Sequence, residues 1–198
     1  SLRESFHGTG MWSIFIVSAV RGMGDRSYIF FLPFYLRQEL GMGFFMVSVH
    51  VSLVAAPGIV SGPVFGALSD RIGRKLIIAF LMLIAVVLSI TTIIVGGGLL
   101  MTLSIGLFGL FHSSVNSLTQ AAAIDVAEGR GLDATFMGLM WGSNAAFSAA
   151  AAGVLGILIN RYNDDWGIAF YSAAILFFVG FLATLAMPNS KSTNSQPT

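Results

Sequence analysis

The stretch "RGMGDR" sets Arg21, Asp25 and Arg26 inside otherwise apolar sequence. A spacing of four puts Arg21 and Asp25 on one helical face, where they can pair. Ser18 and Tyr28 extend that face. Arg26 is turned about 100° from Asp25 and has no acid close in sequence, so it points toward headgroups or another helix. Ionisable groups in such surroundings are costly and mark functional sites. Two readings stand for the pair: a self-neutralising structural contact, or part of a substrate or proton site. While a guanidinium neutralises Asp25, the carboxylate has little reason to take up a proton. Asp25 works as a proton carrier only when Arg21 is drawn away, for instance by an anionic substrate. A second group, His112, Asn116 and Gln120, recurs at i, i+4 and i+8, with Thr119 beside it. One such residue is ordinary helix–helix glue; three in register face a wet cavity. Only His112 is a good metal ligand, so the spacing suggests no metal. A third group, Trp141, Asn144 and Ser148, shares one helical face.

These residues sit in a chain whose solvent must be mostly lipid. Of its 198 residues 56% are hydrophobic and 10% charged, and the mean hydropathy is +0.85. Soluble domains carry about 25% charged residues. The net charge of +1 gives no sign of nucleic acid. Cysteine is absent, which removes disulfides, thiolate metal sites and cysteine nucleophiles. His7, His50 and His112 lie on separate segments, so an intramembrane enzyme is not expected, and neither is a cofactor. No phosphate-binding G-x-x-x-x-G-K loop is present, so an ion gradient is the expected energy source.

Charges punctuate the chain: 40–69, 76–124, 134–160 and 166–190 contain no Asp, Glu, Lys or Arg. A membrane helix needs about 20 apolar residues. The 76–124 tract is too long for one crossing and turns at Gly96–Gly98, where glycine permits a tight reversal. The expected spans are therefore about 11–36, 43–68, 76–95, 99–125, 134–160 and 167–187. Residues 1–10 read as the end of a cytoplasmic linker, and 188–198 as a cytoplasmic tail. Six crossings put both termini on one side. With the termini cytoplasmic, Arg3, Arg71, Arg74, Lys75, Arg130 and Lys191 are inside and only Arg37 and Arg161 outside, as the positive-inside rule prefers. The expected location is the cell (inner) membrane. Gly58, Gly62 and Gly66 read as a close-packing ridge, "SAAAAG" at 148–153 as a second one, and Pro57 and Pro63 as bends. His50 reads as structural.

One loop is more specific. "GALSDRIGRK" contains Gly66, Leu68, Asp70, Arg71, Gly73, Arg74 and Lys75. It resembles the signature G-x-L-x-D-R-x-G-R-K of the major facilitator superfamily, which lies between the second and third helices of each six-helix half, as it does here. "DVAEGRGLDATFMG" is similar to the family's loop before the fifth helix, and "WGIAFYSAAIL" to the start of its sixth. The resemblance covers essentially the whole chain. It implies an all-α membrane protein: a six-transmembrane-helix bundle, one half of the family's twelve-helix fold. The absence of an arginine in 99–125 and of a proline in 134–160 points to the C-terminal half, with an N-terminal six-helix half as partner.

By that resemblance Asp70 latches the cytoplasmic side against the start of a helix of the opposite half. Arg71 and Arg74 belong to its charge network, Asp125, Glu128 and Arg130 are partners, and Gly73 turns the loop. Lys75 reads as a topology determinant alone. The first and fourth helices line the family's central cavity, and these carry the strongest polar stripes. The expected function is secondary active transport of a small molecule by alternating access. A proton-coupled exporter of drugs or metabolites, an antiporter, leads; an organic-anion symporter is the alternative, favoured by Arg21 and Arg26. A non-transporting membrane partner subunit is the reading from another class.

Overall fold

A computed structural model describes residues 9–127 and 133–187. Glu128, Arg130, the expected tail and most of the expected linker end lie outside the described residues. Eight helices follow in order: α1 (Thr9–Ile29), α2 (Leu32–Phe34), α3 (Phe44–Ala55), α4 (Gly58–Ile72), α5 (Arg74–Val95), α6 (Gly98–Ala127), α7 (Asp133–Arg161) and α8 (Gly167–Leu185), with a π-helical turn over Tyr35–Glu39 after α2. No strand occurs among the described residues. Five stretches are long and apolar enough to cross a membrane: Phe44–Ile72, Arg74–Val95, Gly98–Asp125, Ala134–Arg161 and Gly167–Leu185. With the first, charge-bearing segment they make a six-helix bundle.

Two expected spans are broken, each by a proline. The first was expected as one helix over 11–36, but α1 ends at Ile29. Pro33 has no N–H to give the carbonyl of Ile29, so the ladder stops there and resumes as α2 and the π-turn. The second was expected over 43–68 and is two helices that end later, at Ile72. Pro57 leaves the Leu53 carbonyl without its helical donor. Pro63, by contrast, lies inside α4.

The tight turns rest on glycine. Gly96, Gly97 and Gly98 have φ of 61°, 154° and 74° and join α5 to α6. Gly73 at φ 107° separates α4 from α5. A side chain at these angles is strained, which is why the reversals carry none.

The bundle inverts the usual surface rule. Phe44, Phe45, Ile59, Leu99, Ile157 and Ile175 are largely exposed, as suits a lipid solvent. Buried hydroxyls bond back to their own helices: Ser89 to the Ala85 carbonyl at 2.8 Å, Thr119 to Val115 at 2.7 Å and Thr184 to Gly180 at 2.7 Å. In lipid no water would satisfy them. α1 packs against α8, α7 and α6, and α6 packs in turn against α3, α4 and α5; α5 packs against α8 and α6.

Glycine does set close contacts, but only in part where the ridge was expected. A Cβ at Gly58 would collide with the Ser113 hydroxyl, one at Gly62 would meet Ser117 Oγ at an ordinary 3.7 Å, and one at Gly66 would meet nothing. The ridge therefore shrinks to its first position. Gly153 in the "SAAAAG" stretch also faces open space. The tightest backbone approach is at Gly109 of α6. A Cβ there would strike the Val54 carbonyl oxygen and lie 2.6 Å from that of Leu53. Gly109 thus accepts the bent backbone that Pro57 creates. Gly109→Ala should destabilise the protein by about 1–3 kcal/mol, the usual cost of overpacking. Gly106→Ala on the same helix, where a Cβ meets nothing within 4 Å, should be near neutral. Thermal unfolding in detergent compares the two, and equal midpoints would remove the claimed contact.

Candidate functional site

The centre of the bundle is held by a charge cluster that joins two helices. Arg21 Nη1 donates to Asp25 Oδ2 at 2.6 Å within α1. From α6, His112 Nδ1 donates to the other oxygen, Oδ1, at 2.8 Å. Each carboxylate oxygen therefore has one nitrogen partner. Arg21 is 5% exposed and Asp25 9%. Depth follows from the neighbours: His112 is the mid-point of α6, and Gly24, beside Asp25, packs on Phe177 near the middle of α8. The cluster lies level with the middles of α6 and α8.

Sequence spacing paired Arg21 with Asp25 but set His112 with Asn116 and Gln120. The structure gives His112 to Asp25 instead, with its ring stacked on Phe108 at 5.9 Å. Asn116 and Gln120 bond each other at 3.2 Å. They still come to the cluster: Ser18, Arg21, Asn116, Thr119, Gln120, Met140 and Trp141 line one cleft between α1, α6 and α7. A cavity of about 10 Å³ lies on the other side, lined by Arg21, Asp25, Met82, Ala85, Phe108, His112, Val115 and Phe177. It has room for about one water. Arg21 Nε is buried without a hydrogen-bond partner among the described residues, so Arg21 holds one donor in reserve beside the cleft.

Two expected pathway residues take structural roles. Tyr28 is fully buried in the core, not on the cleft. Its hydroxyl lies 2.9 Å from Thr92 Oγ1, which is 3.1 Å from Ser104 Oγ, and its ring stacks on Phe108 at 3.7 Å. Asn144 donates to the backbone carbonyl of Ser18 at 2.6 Å, which fastens α7 to α1. Gly22 makes room for that amide, since a Cβ there would overlap it. The glycine one turn after Ser18 was the available sequence signal. Trp141, on the cleft, is 44% exposed.

At the other end of α4, Arg74 joins two helices. Its Nη1 is 3.0 Å from Asp125 Oδ2 of α6, and its Nη2 is 3.7 Å from Asp70 Oδ1. Asp70 and Arg71 are exposed, and Arg71 makes no ion pair among the described residues. Lys75, expected to be a topology signal only, does more: its Nζ donates to the Met187 carbonyl at 2.7 Å. It fixes the loop to the end of α8. His50 is buried, with Nδ1 donating to the Met46 carbonyl at 2.7 Å and Nε2 at 2.9 Å from Thr102 Oγ1, a link between α3 and α6. Among the described residues no cluster of His, Cys, Asp or Glu could hold a metal.

A family model, that of the Major Facilitator Superfamily, matches residues 14–198. The chain belongs to this superfamily. No curated protein sequence matches it. Superfamily members are membrane transporters, and this chain is a multi-pass membrane protein of that kind.

If the Arg21–Asp25 pair balances charge, breaking it from one side should be costly. Arg21→Gln should destabilise the fold by about 3–5 kcal/mol, because a carboxylate is left with one partner. Arg21→Gln/Asp25→Asn should recover most of that loss. Thermal midpoints of the two single variants and the double would measure it; additive losses would mean that the groups do not neutralise each other.

Proposed function

We propose that the protein is a proton-coupled secondary transporter of a small molecule, working by alternating access, with Asp25 as the proton-exchanging group. The observation that carries this reading is the shared carboxylate: Asp25 bridges Arg21 of its own helix and His112 of α6 at mid-bundle. Protonation of Asp25 would remove the charge that holds both partners, freeing Arg21 toward the cleft and loosening α1 from α6. Coupling requires such a link, in which one proton changes both a binding group and a helix contact. Amides, a hydroxyl pair and Trp141 stand beside Arg21 along a closed seam between α1, α6 and α7, groups suited to a small polar or aromatic solute once the seam opens. In the exporter form, substrate and proton exclude each other at this cluster. Arg26 favours a second form, organic-anion symport.

In this reading the loop cluster is the cytoplasmic gate. Gly66, Asp70, Arg71, Gly73 and Arg74 form it, and Arg74 ties it to Asp125. The second contact of Arg74, to the exposed Asp70 at 3.7 Å, is of the kind that contributes little stability, about 0–1 kcal/mol, as a bond that must open and close in each cycle requires.

The test uses protein reconstituted in liposomes with an internal pH dye, challenged with a panel of organic acids and drug-like cations. Asp25→Asn should lose proton movement on substrate addition and gradient-driven uptake by at least about tenfold, while substrate counterflow persists, because counterflow moves no net proton. Unchanged gradient-driven uptake would sink the assignment. Asp70→Asn should reach the membrane in normal amount and transport about tenfold more slowly. Wild-type rates in this variant would return the cluster to a topology signal.

A further inference from the structure

A proton bound for Asp25 needs a way to reach it. The residue is 9% exposed, and each carboxylate oxygen already faces a nitrogen. Oδ2 lies 2.6 Å from Arg21 and Oδ1 lies 2.8 Å from His112. The two partners differ in chemistry. A guanidinium keeps its protons and cannot hand one on. An imidazole has two ring nitrogens and exchanges a proton near neutral pH. Of the two groups that cover the carboxylate, only His112 can pass it a proton.

The surroundings of the ring suit that task. Nδ1 gives its hydrogen to Asp25 Oδ1, so the lone pair of the neutral ring is on Nε2. Nε2 makes no hydrogen bond among the described residues and is not sealed in the core. The His112 side chain is 19% exposed and that of Asp25 12%, so the ring stands on the more open side of the carboxylate. The cavity of about 10 Å³ beside both groups has room for about one water. Phe108 holds the plane of the ring, stacked on it with only 6° between planes. No other titratable group described on the neighbouring helices takes this place. On α1, Arg26 is exposed and Tyr28 bonds Thr92. α5 and α8 bring only Met82, Ala85 and Phe177 to the cavity, and α7 brings Met140 and Trp141 to the cleft. α4 sets Phe65 against Phe111. On α3, His50 bonds Thr102, about three turns before His112 on α6.

We infer that His112 is the port through which Asp25 gains and loses its proton. A proton from water adds to the lone pair of Nε2. The Nδ1–H bond then breaks, and its proton passes along the hydrogen bond to Asp25 Oδ1. The ring ends neutral, as the Nε2–H tautomer, and nothing is oxidised or reduced. The same two transfers in reverse release the proton. One port serves both directions, because alternating access opens a fixed site to each side in turn. The inference rests on Asp25 as the proton-exchanging group and adds the residue that sets how fast it exchanges.

The experiment follows the proton itself and needs no substrate. Purified protein in detergent is jumped from alkaline to acidic buffer in a rapid-mixing infrared cell, and the carbonyl stretch of protonated carboxyl groups is followed in time. The part of the band that Asp25→Asn removes belongs to Asp25. In His112→Asn an amide nitrogen replaces Nδ1 as a donor to Asp25, but no second nitrogen can relay. The Asp25 band should still form in this variant, at least about tenfold more slowly than in wild type. Imidazole added to the buffer should restore most of the lost rate and leave wild type unchanged, which a merely structural role of the ring would not produce. His112→Gln carries the same test if the asparagine variant does not survive purification. The inference is overturned if the Asp25 band rises at the wild-type rate in these variants, or if it stays slow with imidazole. A wild-type band that Asp25→Asn leaves intact would instead sink Asp25 as the proton-exchanging group, a result distinct from a band that rises unchanged without His112.

Discussion

A carboxylate at the centre of a lipid-solvated bundle has no water to neutralise it, so its neighbours must. Asp25 takes one partner from its own helix and one from α6. That arrangement fixes the rotation of α1 against α6. With Asp25 turned inward, Ser18 and Gly22 face α7 and receive Asn144. Gly24 faces α8 and receives Phe177, and Tyr28 reaches Thr92 of α5. Arg26, about 100° round from Asp25, is left on the exposed side. The packing of α1 and the exposure of Arg26 thus have one cause.

The bundle is also built from matched irregularities. Pro57 breaks the second span and leaves the Leu53 carbonyl without a helical donor; Gly109 lets α6 lie directly on that segment. Pro33 breaks the first span, and Phe34 beyond it stacks on Trp166 of the turn between α7 and α8, with ring centres 5.5 Å apart. Without a hydrophobic force between helices in lipid, such close fits and interhelical hydrogen bonds hold the bundle. The links between helices fall at three levels. Lys75 and Arg74 join helices at one end, the Asp25 cluster at the centre, and His50 with Thr102 toward the other end.

Much of the fold was legible in the sequence because lipid makes strong demands on it. Charge-free tracts of span length, glycines at the reversals and a loop signature of fixed spacing all act locally, over ten or twenty residues. The Arg21–Asp25 pair was legible for the same reason, since four residues on one helix set its geometry. The ridge at Gly58, Gly62 and Gly66 was less so. Spacing put the three on one face, but whether a neighbour follows that face depends on the path of α6 relative to the bend at Pro57.

The sequence by itself determined that the chain crosses a membrane, where its charges gather and which family's loop it carries. Each of these is written in composition or in contiguous residues. Only the tertiary structure decided the partners across helices. His112 went to Asp25, 87 positions away, Lys75 to Met187 and Tyr28 to the core rather than the cleft. Helical periodicity gives each residue a direction around its own axis but not which helix lies there. That choice depends on how all six spans pack at once.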